Sequence, residues 1–351
     1  MMTELTGMTP EELTAFVTAR GWPAYRAGQL FTWIHKGADF PDMRNLPSSM
    51  REALSETAVA QPVRILTERR SKADGTVKFL FGLTDGNCVE GVLMRYHYGV
   101  SLCISTQVGC RMGCAFCAST LDGCVRGLTA GEMLGEILCV NRYLAAGNES
   151  VSHVVLMGSG EPLDNYDSVT RFLRLLREDG GLKMSLRNVS LSTCGLVPEM
   201  RRFAGEGLPV TLSVSLHAPN DVIRRRLMPI AKKYRIAEVL GAAREYIRGT
   251  GRRVIFEYAL IRDINSDVSH ARELAGLLRG MQCHVNLIPL NSVPERGLAG
   301  AGPEAVRAFL GALTDEHISA TCRRELGDDI EGACGQLRRN TILGEKSHAE
   351  V

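Results

Sequence analysis

The sequence predicts an α/β protein: a full or partial (β/α) barrel preceded by a helical appendage and a short β-meander. Three observations carry this. Six short apolar segments follow residue 98, separated by helical patterns, which is the rhythm of parallel strands joined by crossover helices. Residues 62–98 instead show three β-rich segments divided by Asp74-Gly75 and Asp85-Gly86, a strong hairpin signal. The first sixty residues show helical periodicity.

Taken in order, Thr9-Pro10-Glu11-Glu12 reads as a capping box with proline at the first helical position, and Leu13, Phe16 and Val17 follow at helical spacing. Further helices are expected over 25–36 and 48–57. PVRILTE, TVKFLFGL and CVEGVLMRY supply the meander. The barrel strands are VSLCIS, HVVLMG, NVSLST, PVTLSVSL, VIFEYALI and HVNLIPL, read as continuously apolar and therefore buried on both faces. Helices over 130–144, opened by the capping box Thr129…Glu132, and over 164–177 lie between them. The expected organisation is a helical accessory unit (1–60), a meander linker (61–98), a barrel core with a C-terminal cysteine segment (99–340) and a polar tail (341–351).

Hydrophobic residues make up 45% and charged residues 23%, an ordinary globular composition that excludes disordered and fibrous states. No apolar run approaches the ~20 residues that span a bilayer. Lys+Arg is 41 against 39 for Asp+Glu, yet ten of the basic residues and only two acidic ones fall within 224–253. That stretch is either a solvated helix face or a phosphate-contacting patch. The N-terminus is polar and acidic with no apolar signal region, and the cysteines number eleven, an odd count. A disulfide framework is not expected; a reducing, cytoplasmic setting is, where clustered cysteines point to metal or redox chemistry.

The strongest chemical signal is Cys110-Arg-Met-Gly-Cys114-Ala-Phe-Cys117, directly after the strand VSLCIS. Zinc ribbons use two separated CxxC pairs, and buried structural cysteines do not cluster this way. Three thiolates in one loop suit three irons of a [4Fe–4S] cubane, leaving the fourth iron open to a ligand. Gly158-Ser159-Gly160-Glu161-Pro162 follows the next strand, where glycines let backbone approach a ligand and a carboxylate can hold an ammonium group. Ser192-Thr193, Ser215-Leu216-His217 and Asn291 stand at later strand ends, the rim on which barrel sites lie. Singly each reads as a capping or turn residue; together they outline a site.

CxxxCxxC with an aromatic before the last cysteine resembles the radical S-adenosylmethionine (SAM) superfamily. LCISTQVGCRMGCAFCAST, MGSGEP, LSTCGLVP, VSLHAPND, LIPLN and GDDIEGACGQL resemble, in order, the signatures of one branch. That branch is the radical SAM RNA adenine C2-methyltransferase family, RlmN, with its C8-methylating relative Cfr. Ser159 departs from it, standing where the family usually has Met.

The resemblance implies a [4Fe–4S] cluster on Cys110, Cys114 and Cys117, two SAM molecules per turnover, and SAM contacts from Gly160, Glu161, Ser192, Ser215, Leu216, His217 and Asn291. It also gives roles to two distant cysteines. Adenine C2 has no nucleophilic lone pair and cannot take a methyl from SAM directly. In the implied scheme Cys334 accepts a methyl from the first SAM, the second supplies a radical that activates it, and the carbon adds to the base. Cys103 then acts as base and attacks the sulfur of Cys334, which releases the methylated adenine and leaves a disulfide. Glu90 matches a family carboxylate that accepts a proton; without the family it reads as an exposed strand glutamate. The implied partners are RNA (23S rRNA and tRNA) and an electron donor such as a flavodoxin or ferredoxin, with a monomer acting in the cytoplasm. The competing readings are a Cfr-type C8-methyltransferase, a non-catalytic Fe–S electron carrier and a non-catalytic Fe–S RNA-binding protein.

Overall fold

The chain opens with a small helical unit: α1 (Pro10–Thr18), α2 (Tyr25–His35) and α3 (Ser48–Thr57), clasped by the parallel pair β1 (Thr3–Glu4) and β2 (Ala58–Val59). The structure, a computed structural model, describes residues 2–290, 294–324, 326–330 and 337. The predicted capping box is present: Thr9 accepts from the Glu12 N–H and Glu12 accepts from the Thr9 N–H. Three contacts tie this unit to the rest of the chain. Thr129 donates to Glu4 (2.9 Å), Arg171 pairs with Glu12, and Gly7 packs against the backbone of Gly131.

Next comes the meander, β3 (Val63–Arg70), β4 (Val77–Leu83) and β5 (Cys88–Tyr96), antiparallel as the Asp-Gly turns require. It continues without a break into the barrel sheet, because β5 pairs antiparallel with β6 (Gly99–Cys103). A two-stranded side ribbon follows, β7 (Gln107–Gly109) with β8 (Cys124–Gly127). Then come α4 (Ala130–Leu144), β9 (His153–Leu156), α5 (Tyr166–Leu175), β10 (Val189–Thr193), α6 (Val197–Gly205) and β11 (Thr211–Ser215). The chain goes on through α7 (Asp221–Leu227), α8 (Ile236–Thr250), β12 (Val254–Leu260), α9 (Val268–Leu278), β13 (Cys283–Pro289), α10 (Pro303–Asp315) and β14 (Ala320–Cys322).

The ten-stranded sheet runs β14-β13-β12-β11-β10-β9-β6-β5-β4-β3, parallel as far as β6. Among the described residues β14 and β3 do not pair with each other, so the barrel is partial. One apolar core joins Leu13 and Leu30 of the helical unit to Phe79, Val140, Phe172, Tyr246 and Phe309. Among the described residues no helix is long and apolar enough to cross a membrane.

Two expectations need correction. The barrel strands are not apolar on both faces. Register places Cys103, Val155, Ser190 and Thr211 in one cross-strand row, Ser192 opposite Ser213, and Ser215, Glu257, Asn286 and Thr321 in another. Paired residues share a face, and alternate residues along a strand return to it. The face turned away from the apolar core therefore carries small polar and charged groups, while Leu102, Val154, Leu191, Leu212, Val214 and Phe256 fill the core. The second correction concerns the basic stretch 224–253. Arg225, Arg226, Lys232, Lys233, Arg235, Arg244, Arg248 and Arg253 are exposed, but Arg224 is 0% exposed and cannot meet a phosphate from solvent.

Candidate active site at the strand ends

The three-cysteine loop is a closed excursion whose two ends are pinned by the β7–β8 ribbon. Gly109, at φ +83°, makes the pinning possible: a Cβ there would lie 2.0 Å from the Gly123 carbonyl, which accepts the Cys110 N–H at 2.8 Å. Inside the loop the Cys117 N–H donates to the Cys114 carbonyl (3.2 Å), and Thr120 donates to the carbonyls of Cys114 and Cys117. From outside, the Ala115 N–H donates to Leu227 O (2.8 Å) and Arg296 donates to Cys117 O (3.1 Å). The loop backbone is thus fixed by hydrogen bonds.

Cys110, Cys114 and Cys117 all line one cavity of about 220 Å³, together with Gly158, Gly160, Glu161, Ser192, Ser215 and His217. Burial pushes the Cys110 thiol up to about 12 and raises Cys114 as well, so without a metal these sulfurs keep their protons. Among the described residues no three His, Cys, Asp or Glu side chains gather around a point that could hold a single metal ion. A cubane needs no such point, because each iron takes its own thiolate. Three soft thiolates spread round one cavity wall therefore fit an iron–sulfur cluster better than a lone zinc.

The opposite wall is built by strand ends. Gly160 sits at φ +113°, where a Cβ would come within 2.7 Å of Gln107 and Thr106, so only glycine lets the turn close onto β7. Gln107 accepts the Glu161 N–H (2.9 Å) and donates to Asp164 (2.8 Å). The Glu161 carboxylate accepts the N–H groups of Cys194 (2.7 Å) and Leu163 (3.1 Å). Burial raises its pKa and these bonds partly offset the rise. A carboxylate so held, 4% exposed beside the cysteine loop, suits an ammonium ligand.

His217 takes a left-handed conformation (φ 54°) that turns the chain at the end of β11. Its Nδ1 accepts the Ala259 N–H (2.9 Å), which puts the ring proton on Nε2. Burial, with Arg224 a lesser cause, lowers its pKa to about 3, so the ring is neutral. Phe116 of the cysteine loop packs edge-on against it at 4.7 Å. Leu216 is fully buried and is not on the cavity wall; its N–H donates to Glu257 O. Asn291 and Cys334 lie outside the described residues.

Sequence reasoning missed Glu257, Cys194 and Arg323 on the cavity wall. Glu257 is 4% exposed and accepts from Asn286 (2.7 Å). Its signal was there to read: it is the one charged residue in VIFEYALI.

Cys103 is 6% exposed and does not line the cavity itself, but it stands on the same sheet face as Ser192, Ser215 and Glu257. Register extends that face into the meander, since Val92 pairs with both Cys103 and Lys78, and Glu90 alternates with Val92. Glu90 is therefore not an exposed strand glutamate. It is 4% exposed, and Lys78, fully buried, lies 3.1 Å away in an ion pair.

Residues 104–274 match the Radical SAM superfamily and residues 3–60 match the ribosomal RNA large subunit methyltransferase N-terminal domain. Fold and cysteine loop thus agree on a radical SAM protein, a class that implies a [4Fe–4S] cluster and SAM. A radical SAM methyltransferase from Sphaerobacter thermophilus has the same fold, with a TM-score of 0.92, 41% identity, and coverage of 95% of this chain and 98% of that one. A protein of Lachnospira eligens is 48% identical over 342 residues, 96% of each chain. One of Symbiobacterium thermophilum is 51% identical over 337 residues, 95% of this chain and 91% of its own. Both bear the name probable dual-specificity RNA methyltransferase RlmN. The chain belongs to the RlmN family.

Proposed function

We propose that this protein methylates C2 of adenine in RNA, with 23S rRNA and tRNA as its substrates. The observation that carries this reading is the three-cysteine loop facing Glu161, Ser192, Ser215 and His217 across one cavity, in a chain near 50% identical to RlmN relatives along almost its whole length. Cys110, Cys114 and Cys117 would hold the cluster, and Gly160, Glu161, Ser192, Ser215 and His217, with Asn291, would hold SAM. Bound there, the two would supply one-electron chemistry that activates a methyl group, with two SAM consumed per turnover.

The chain's own residues do the rest. Cys334 carries the methyl group on sulfur. Glu90, held beside Lys78 on the face that bears Cys103, accepts the proton released as the base carbon is rearomatised, a step that also gives up one electron, which the oxidised cluster would take. The Cys103 thiolate attacks the Cys334 sulfur, forming the S–S bond while the S–C bond to the product breaks and the released carbon takes up a proton to become the methyl group; an external reductant then restores both thiols. Residues 1–60 contact the RNA, and the exposed arginines of α7 and α8, with Lys232 and Lys233 between them, grip its backbone by charge. The enzyme works as a cytoplasmic monomer, reduced by a flavodoxin- or ferredoxin-type donor.

Two variants test the order of these steps. Cys334→Ala should give neither product nor adduct, with the cluster intact. Cys103→Ala should accumulate RNA covalently joined through Cys334, visible as a shifted band. A crosslink in Cys334→Ala, or normal turnover in Cys103→Ala, would overturn the assignment.

A further inference from the structure

Arg224 is the largest fully buried side chain among the described residues, at 0% exposure. Its Nη2 donates to the carbonyls of Cys194 (2.7 Å) and Ser215 (3.3 Å), and its Nη1 to that of Tyr234 (3.4 Å). Its Nε is buried and has no partner among the described residues. Among the described residues no carboxylate forms an ion pair with it. A guanidinium taken out of water without an anion is costly, and carbonyl dipoles answer only part of that cost. A negative charge nearby would offset the remainder.

The surroundings say where that charge sits. Arg224 lies on α7, whose last residue Leu227 accepts the Ala115 N–H of the cysteine loop. Leu227 and Met228 form a small apolar cluster with Cys114 and Cys194, and Met112, Phe116 and Cys117 pack against it. The guanidinium thus stands behind the wall that carries the three sulfurs, anchored to the two strand ends, Cys194 and Ser215, that line the same cavity.

We propose that Arg224 is a positioning residue whose buried charge offsets the negative charge of Cys110, Cys114 and Cys117 when they hold the iron–sulfur cluster, raising the cluster's reduction potential. This rests on the cluster reading above. Net charge around a cluster is one of the levers that set its potential, and a fixed cation at low dielectric acts on the reduced, more negative form most strongly.

The test uses the full chain, first as apoprotein and then reconstituted anaerobically with iron and sulfide, as wild type, Arg224→Gln and Arg224→Lys. Iron content and SAM cleavage of the wild type are measured first. A wild type that takes up no iron overturns the cluster reading and this inference with it. With a loaded wild type, the inference stands or falls alone. Midpoint potentials come from redox titration followed by EPR. Arg224→Gln should move the potential negative, lowering the reduced-to-oxidised ratio about tenfold at fixed potential, ~59 mV for one electron. Arg224→Lys, which keeps the charge and loses the planar fork, should stay near wild type. Melting temperatures give a second readout: loading the cluster should stabilise wild type more than Arg224→Gln, because only wild type holds a lone cation when empty. An unchanged potential in Arg224→Gln, or equal shifts in both variants, overturns the proposal. So does an Arg224→Gln apoprotein that fails to fold, which would make the arginine a strut for three carbonyls.

Discussion

Replacing Lys78 by methionine should destabilise the protein more than any surface charge could. The ammonium lies 3.1 Å from Glu90, the two side chains being 0% and 4% exposed. Methionine keeps the stem and packing volume and removes the charge. Taking away one member of a buried pair costs about 3–5 kcal/mol, because the other charge keeps its desolvation penalty. An unfolding entropy of about 2.1 cal/mol/K per residue over a chain this long gives roughly 0.7 kcal/mol/K, so a single cooperative transition should fall by about 4–7 °C. The assay is thermal unfolding of the apoprotein followed by circular dichroism. Lys78→Met combined with Glu90→Gln should recover at least half of the loss, since no charge is then left buried there. A Lys78→Met variant within about 1 °C of wild type would refute the reasoning, as would a double variant less stable than the single one.

His35 is 5% exposed, stacked on Phe31, with neither ring nitrogen hydrogen-bonded to a described residue, and burial lowers its pKa from 6.5 to about 4. The unfolded imidazole takes up a proton first, so this contribution is whole above pH 6.5 and drains as pH falls toward 4, by roughly 2 kcal/mol at pH 5. His35→Leu should therefore lose less melting temperature between pH 7 and pH 5 than wild type; an equal loss removes His35 as a cause. Gly160→Ala forces a Cβ into Gln107 and Thr106 at φ +113°, and should cost about 1–3 kcal/mol and weaken SAM binding measured by calorimetry; wild-type affinity and melting would count against the cradle. Arg225→Gln with Arg226→Gln, both exposed, should reduce the salt slope of RNA binding by about 1–2 while SAM cleavage without RNA persists; an unchanged slope makes α7 a solvated face.

The parts of this fold that were legible in the sequence are those governed by local chemistry. Capping boxes at Thr9 and Thr129 and the Asp-Gly hairpins act over a few residues, and each is found where expected. The parallel strands were legible as segments, but their two faces were not, because small residues such as Ser190, Ser192 and Ser213 pass for core among valines and leucines. The cysteine loop and Glu161 declared themselves by spacing. Arg224 could not: in the sequence it is the first of three arginines on a seven-residue helix, and only the packing of α7 against the cysteine loop separates it from its exposed neighbours. The ion pair of Lys78 with Glu90 was hidden for the same reason, since it is made between residues twelve apart on two neighbouring strands, not along one.

The central claim is the position of the methyl group. The direct measurement is anaerobic turnover of the reconstituted enzyme with SAM, a low-potential reductant and an RNA fragment containing unmodified adenines, followed by digestion to nucleosides and mass spectrometry against standards. The account predicts 2-methyladenosine, absent when Cys334 is alanine. Finding 8-methyladenosine instead, or SAM cleavage with no methylated adenosine from either rRNA or tRNA fragments, would contradict it.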